Sequence, residues 1–176
     1  MVGPWLAWSI RRRREINILD FFLRRAVIPS LGATTRLDAI RELCDAVAEQ
    51  EAALDGEALY AAVCAREDLM GTGTGHGVAI PHARLEGLPR PLLTFGRSVA
   101  GIEWDSADGL PAHLVFLLLT PVADEGLQLQ ILAGLARGLM AEQARKRLAG
   151  AQGGPQVWAA LSDAFGLQNL VRASSA

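Results

Sequence analysis

An α/β fold with helices over both faces of a sheet is what the sequence predicts, and three observations carry the prediction. Helix-period stretches alternate with short apolar runs along the chain. The most apolar run, Ala-His-Leu-Val-Phe-Leu-Leu-Leu-Thr at 112–120, lies between Pro111 and Pro121. Nine residues are too few to span a bilayer as a helix, whereas a strand buried on both faces needs this composition. Finally, the chain has 176 residues and is 51% apolar, which is ample for one core in a single domain.

Taken in order, residues 16–22 carry an apolar pattern that predicts a short helix, followed by an extended segment over 26–29, where Pro29 restricts Ile28. Thr35 or Asp38 opens a helix in which Leu37, Ile40, Leu43, Cys44 and Val47 recur at helical spacing. Asp55-Gly56 interrupts, and a second helix is expected over 57–67 with Leu59, Tyr60 and Val63 inward. Val78-Ala79-Ile80 reads as a short buried strand stopped by Pro81. Residues 83–91, with Gly87, Pro89 and Pro91, are expected as a loop, and 92–98 as a strand. A turn-rich excursion through Gly101, Trp104, Asp105, Asp108 and Gly109 precedes the apolar strand, and His113 at its start is read as structural. A helix over 127–139, with Leu132, Leu135, Ala136 and Leu139 inward, and two more over 141–148 and 156–165 complete the pattern.

The chemistry concentrates between Arg66 and His82. Glycines at 71, 73, 75 and 77 rule out a helix there. Such a run brings backbone N–H groups close to a ligand and makes a concavity that suits an anion. Gly73, Thr74, Gly75 and His76 are therefore candidate phosphate-binding or supporting residues. His82, at the end of the Val-Ala-Ile-Pro run, offers an imidazole near half-protonation at neutral pH that is able to form a covalent intermediate. A hydrogen-bonded loop histidine is the plainer alternative, and spacing alone leaves both open.

Arg66-Glu67, the Gly-Thr-Gly-Thr-Gly-His-Gly run and Val-Ala-Ile-Pro-His resemble the active-site signature of the fructose/mannitol-type enzyme IIA domains of the bacterial phosphoenolpyruvate-dependent phosphotransferase system, including their nitrogen-regulatory branch. The resemblance extends over residues 16–170 and implies a small mixed β-sheet sandwiched by helices. It implies that His82 accepts a phosphoryl group from the histidine-containing phosphocarrier protein and passes it to an enzyme IIB partner, or uses it as a signal toward a regulated target protein. It assigns Arg66, sixteen residues before His82, to the phosphate, where a guanidinium fork suits the oxygens. One departure stands out: Gln128 occupies the position of the family's second histidine, ahead of Leu129-Gln130-Ile131-Leu132-Ala133-Gly134-Leu135. Glutamine donates a hydrogen bond but carries no proton or positive charge. A binding module with the same fold and little or no phosphotransfer is the alternative that this departure raises.

Composition bounds the remaining classes. A formal charge of −2 gives no reason to expect nucleic acid or an anionic membrane as partner, and no membrane insertion is expected. No cofactor and no metal are expected; Asp105 and Asp108 read as turn formers. Cys44 and Cys64 read as reduced core residues, consistent with a cytoplasmic protein. The glycine run lacks the Gly-Lys-Ser/Thr ending of a nucleotide-binding P-loop. Residues 1–15, with Trp5, Trp8 and Arg11 to Arg14, are expected as a flexible basic extension, and 171–176 as a frayed tail.

Overall fold

The computed structural model describes residues 16–166, and the expectations for 1–15 and 171–176 fall outside the described residues. Among the described residues, two short 3-10 helices (Ile18–Phe21 and Arg24–Ala26) lead into five α-helices, α1 (Arg36–Gln50), α2 (Gly56–Leu69), α3 (Glu125–Leu139), α4 (Glu142–Gly150) and α5 (Gly153–Phe165), which surround five strands. The strands are β1 (Gly73–Gly75), β2 (Val78–Ala79), β3 (His82–Leu85), β4 (Leu92–Ile102) and β5 (Ala112–Pro121). Local chemistry sets the helix starts. Thr35 caps α1 by accepting from the Asp38 N–H at 3.2 Å while its hydroxyl donates to the Asp38 carboxylate at 2.7 Å. Asp55 caps α2 through the Glu57 N–H at 3.0 Å, and Asp124 caps α3 through the Leu127 N–H at 3.0 Å.

β5 is the centre of the sheet. β4 runs antiparallel along one of its edges, while β2 and then β3 run parallel to it along the other. β1 folds back antiparallel on β2. The expected mixed sheet is present, and the alternation of side chains along β5 explains the three layers. Leu114, Phe116 and Leu118 face one core with Ile131 and Leu135 of α3 and Val157, Leu161 and Phe165 of α5. Val115, Leu117 and Leu119 face the other, with Ile40, Leu43 and Val47 of α1 and Leu59 and Val63 of α2. Phe116 centres the first core, its ring 4.9 Å from Phe95 and 5.8 Å from Phe165. The outer edge of β4 is covered by the irregular segment 22–31: the N–H groups of Leu23, Ile28 and Leu31 donate to the carbonyls of Leu93, Phe95 and Arg97 at 2.8 Å.

Several local expectations give way. Residues 83–91 are not all loop, because β3 begins at His82. Pro81 lacks the N–H that would join β2 to β3, so the ladder breaks there, yet its carbonyl accepts from Leu118 at 3.0 Å and the chain resumes pairing at once. His82 thus opens a strand and does not end one. β4 continues past residue 98 to Ile102. The inward face of α3 is Gln128, Ile131, Leu135 and Leu139, while Ala136 is exposed and Leu132 half-buried. Leu37 is exposed as well.

Candidate active site

Between β2, which β1 covers, and the end of the sheet, the four residues of β3 have no further strand beside them among the described residues. α2 lies on one side of this open edge and α3 on the other. The gap is a cleft of about 650 Å³ whose lining includes Arg66 and Leu69 from α2, His82 and Arg84 from β3, and Gln128 and Leu129 from α3. His82 and Arg84 share it because residues two apart on a strand point the same way.

The His82 ring is half-buried, and its Nδ1–H donates to the Ile80 carbonyl at 2.8 Å. A carbonyl only accepts, so this bond fixes the tautomer and leaves Nε2 with the free lone pair. Among the described residues no buried side-chain nitrogen lacks a partner, so Nε2, which has none, reaches open space. Burial holds the His82 pKa below its ordinary value. The Ile80 hydrogen bond opposes that shift, the Arg66 cation adds to it, and the Glu67 carboxylate opposes it. A neutral imidazole at neutral pH is the state that a nucleophile requires.

Arg66 lies in the last turn of α2, its Nη1 donating to the Met70 carbonyl at 3.0 Å. Its neighbour Glu67 turns inward and is 4% exposed. The Glu67 carboxylate accepts from the Thr72 N–H at 3.0 Å, the Thr72 hydroxyl at 2.5 Å and the Trp104 indole N–H at 3.0 Å. This knot ties the end of α2 to the loop that follows β4, and so holds Arg66 where it borders the cleft. Gln128 is 8% exposed, and its Oε1 accepts from Arg84 Nε at 2.7 Å and from the Thr120 hydroxyl at 3.4 Å.

The structure therefore brings His82, Arg66 and Gln128 together. It does not bring Gly73, Thr74, Gly75 and His76 with them, since none of these lines the cleft. They form a hairpin beside the other end of β5: Val78 pairs with Leu114, whereas His82 pairs with Leu118 four residues on, about 13 Å along the strand. The hairpin's groups are also engaged. The His76 N–H donates to the Asp108 carboxylate at 2.6 Å, the Thr74 hydroxyl donates to the Val78 carbonyl at 3.1 Å, and Gly73 sits against Ser106 and Trp104. The glycines serve a tight turn and close packing, with positive φ at Gly75 and Gly77. Sequence reasoning missed Arg84; the period of two counted from His82 is the signal that would have found it.

No helix among the described residues is long and apolar enough to cross a membrane, and no cluster of metal-ligating side chains occurs among them. Comparison with known proteins agrees with the geometry. A fructose-specific EIIA component of the phosphotransferase system from Haloferax volcanii is 39% identical over 114 residues, covering 65% of this chain and 74% of that one. A nitrogen regulatory protein from Bradyrhizobium diazoefficiens is 33% identical over 148 residues, covering 82% and 94%. The crystal structure of the nitrogen regulatory protein IIA-Ntr from Neisseria meningitidis superposes with a TM-score of 0.75 at 28% identity, over 81% of this chain and 97% of that one. Residues 20–164 match the family described as phosphoenolpyruvate-dependent sugar phosphotransferase system, EIIA 2, and the chain belongs to that family.

Proposed function

We propose that this chain is a phosphoryl carrier whose acceptor is Nε2 of His82. The observation that carries the reading is the fixed tautomer: Nδ1–H is held by the Ile80 carbonyl, so the lone pair is on the nitrogen open to a cleft bordered by Arg66. In the transfer, Nε2 attacks the phosphorus of a phosphohistidine on the histidine-containing phosphocarrier protein. The donor's P–N bond breaks as the new one forms, and the donor ring, which while phosphorylated carries a proton on its other nitrogen, keeps that proton and leaves as neutral imidazole. No proton has to move, because the positive charge that develops on the His82 ring is shared with Nδ1–H and stabilised by the Ile80 carbonyl. Arg66 meets the phosphoryl oxygens, and Gln128 donates from the opposite wall. Positioning and electrostatics supply the catalysis, with no metal or cofactor in the scheme. The phosphoryl group then passes to an enzyme IIB partner, or its occupancy signals to a regulated target protein. The relatives' names include both a sugar-specific component and nitrogen regulatory proteins.

Gln128 favours a second reading, a regulatory module that docks a target protein with little or no phosphotransfer. Incubation with phosphoenolpyruvate and the two general phosphotransferase proteins separates the two. The carrier gains one acid-labile phosphate by mass and the His82→Ala variant gains none. A native chain that gains none refutes the carrier reading, and a variant that still gains it refutes the assignment of His82.

A further inference from the structure

We infer that Arg84 is a positioning residue for Gln128, fixing the side-chain amide so that its NH₂ group, and not its carbonyl, faces the transferring phosphoryl group. This deepens the acceptor reading above and rests on it. A primary amide has an oxygen that only accepts and a nitrogen that only donates. Both approaches to Gln128 Oε1 are taken by donors, Arg84 Nε at 2.7 Å and the Thr120 hydroxyl at 3.4 Å. The flipped amide would set its NH₂ group against the guanidinium, donor against donor. The Thr120 hydroxyl can accept as well as donate, so it is the guanidinium, which only donates, that determines the orientation. Gln128 Nε2 has no partner among the described residues, and none of their buried side-chain nitrogens is left unpaired, so this nitrogen reaches the open cleft.

The consequence is a division of labour. A single imidazole at position 128 would combine a hydrogen-bond donor with a charge that titrates. Here the donor is an amide, which carries no titrating proton, and the guanidinium's part is to aim it. Arg84 reaches the cleft on the strand that carries His82, two residues on, so one element sets both the nucleophile and the group that aims the donor.

A double-mutant cycle on the full chain tests the assignment, using single-turnover phosphoryl uptake from saturating phosphorylated donor protein, with native, Arg84→Met, Gln128→Ala and doubly substituted chains. Each single substitution slows uptake on the order of tenfold, as expected for a hydrogen bond made to a charged group. The double variant is no slower than the slower single, because Arg84 acts through the amide. The pH profile of native uptake follows one titration, that of His82, and Gln128→His adds a second. Gln128→Glu covers the case in which the alanine variant does not fold: it keeps a partner for Arg84 and Thr120 but presents no donor, so uptake falls about tenfold. Losses that multiply in the double variant, or uptake by Gln128→Glu equal to native, overturn the assignment and leave the acceptor reading standing. Absence of uptake in the native chain removes both.

Discussion

Replacing Glu67 tests whether the buried knot behind the site carries the stability that its geometry implies. Its carboxylate gathers three donors from Thr72 and Trp104, and the Trp104 indole also lies 3.2 Å from the Thr72 hydroxyl oxygen. In Glu67→Leu the indole keeps that second partner, while the Thr72 N–H and the Thr72 hydroxyl proton lose theirs in a buried place. Two stranded donors at ~1–3 kcal/mol each put the loss near ~4 kcal/mol. For a domain of this size that lowers Tm by ~8–16 °C. Glu67→Gln keeps one carbonyl oxygen for the Thr72 N–H and the indole and strands only the hydroxyl proton, so it loses ~1–2 kcal/mol. Urea denaturation followed by tryptophan fluorescence should order the three chains native, Gln, Leu, with similar slopes and falling midpoints. A leucine variant within ~1 kcal/mol of native, or one more stable than the glutamine variant, would refute the reasoning, because either result means the donors find partners elsewhere.

Four further outcomes follow from the structure. The His82 ring proton should titrate by NMR with a midpoint below the ordinary ~6.5, and Arg66→Met should move that midpoint up, since the cation contributes to the lowering; an unmoved midpoint would show the guanidinium lies too far off to matter. Because the folded value lies below the unfolded one, the stabilising contribution of a neutral His82 is complete above ~6.5 and is lost as pH falls through the lowered value, so native chain should lose stability on acidification relative to His82→Gln. Gly73→Ala drives a Cβ into the Ser106 hydroxyl and to 2.9 Å from the Trp104 carbonyl, and should cost ~1–3 kcal/mol in the same urea experiment. Burial pushes the Cys44 thiol up to about 12, so Cys44 should resist alkylation at pH 8 until the chain is unfolded, as peptide mapping of the labelled protein would show.

The parts of the fold that were legible in the sequence are those that a single local rule determines. β5 declares itself because a strand covered on both faces has no polar alternation to obscure it, and prolines bracket it. α1 and α2 show in their caps and their spacing. β3 was hidden because Pro81 reads as a stop, and only the register with β5 reveals that the ladder skips one donor and continues. The covering of β4 by residues 22–31 is likewise absent from any local pattern, since it consists of isolated backbone bonds made by an irregular chain. In the site, Arg66, His82 and Gln128 were legible from the resemblance. The place of the glycine run was not legible, because the same residues suit a tight hairpin as well as an anion cradle, and the partners that pack against the hairpin, Asp108 and Ser106, lie some thirty positions away in the chain. Gln128 read as a residue of the first turn of α3; that it falls in line with Ile131 and Leu135 emerges only once the sheet sets the helix's rotation.

At the site the sheet leaves a bare margin, and its brevity matters. An unpaired strand flank invites a neighbouring molecule to add on, which is how soluble proteins come to polymerise. Here β1 shields β2 and residues 22–31 shield the first part of β4, while the margin at the site is the four-residue β3, about 13 Å long and walled in by α2 and α3. That gap is too short and too recessed to recruit a foreign strand, yet wide enough to admit a projecting side chain. The opening through which His82 is reached therefore brings little risk of self-association to the fold that carries it.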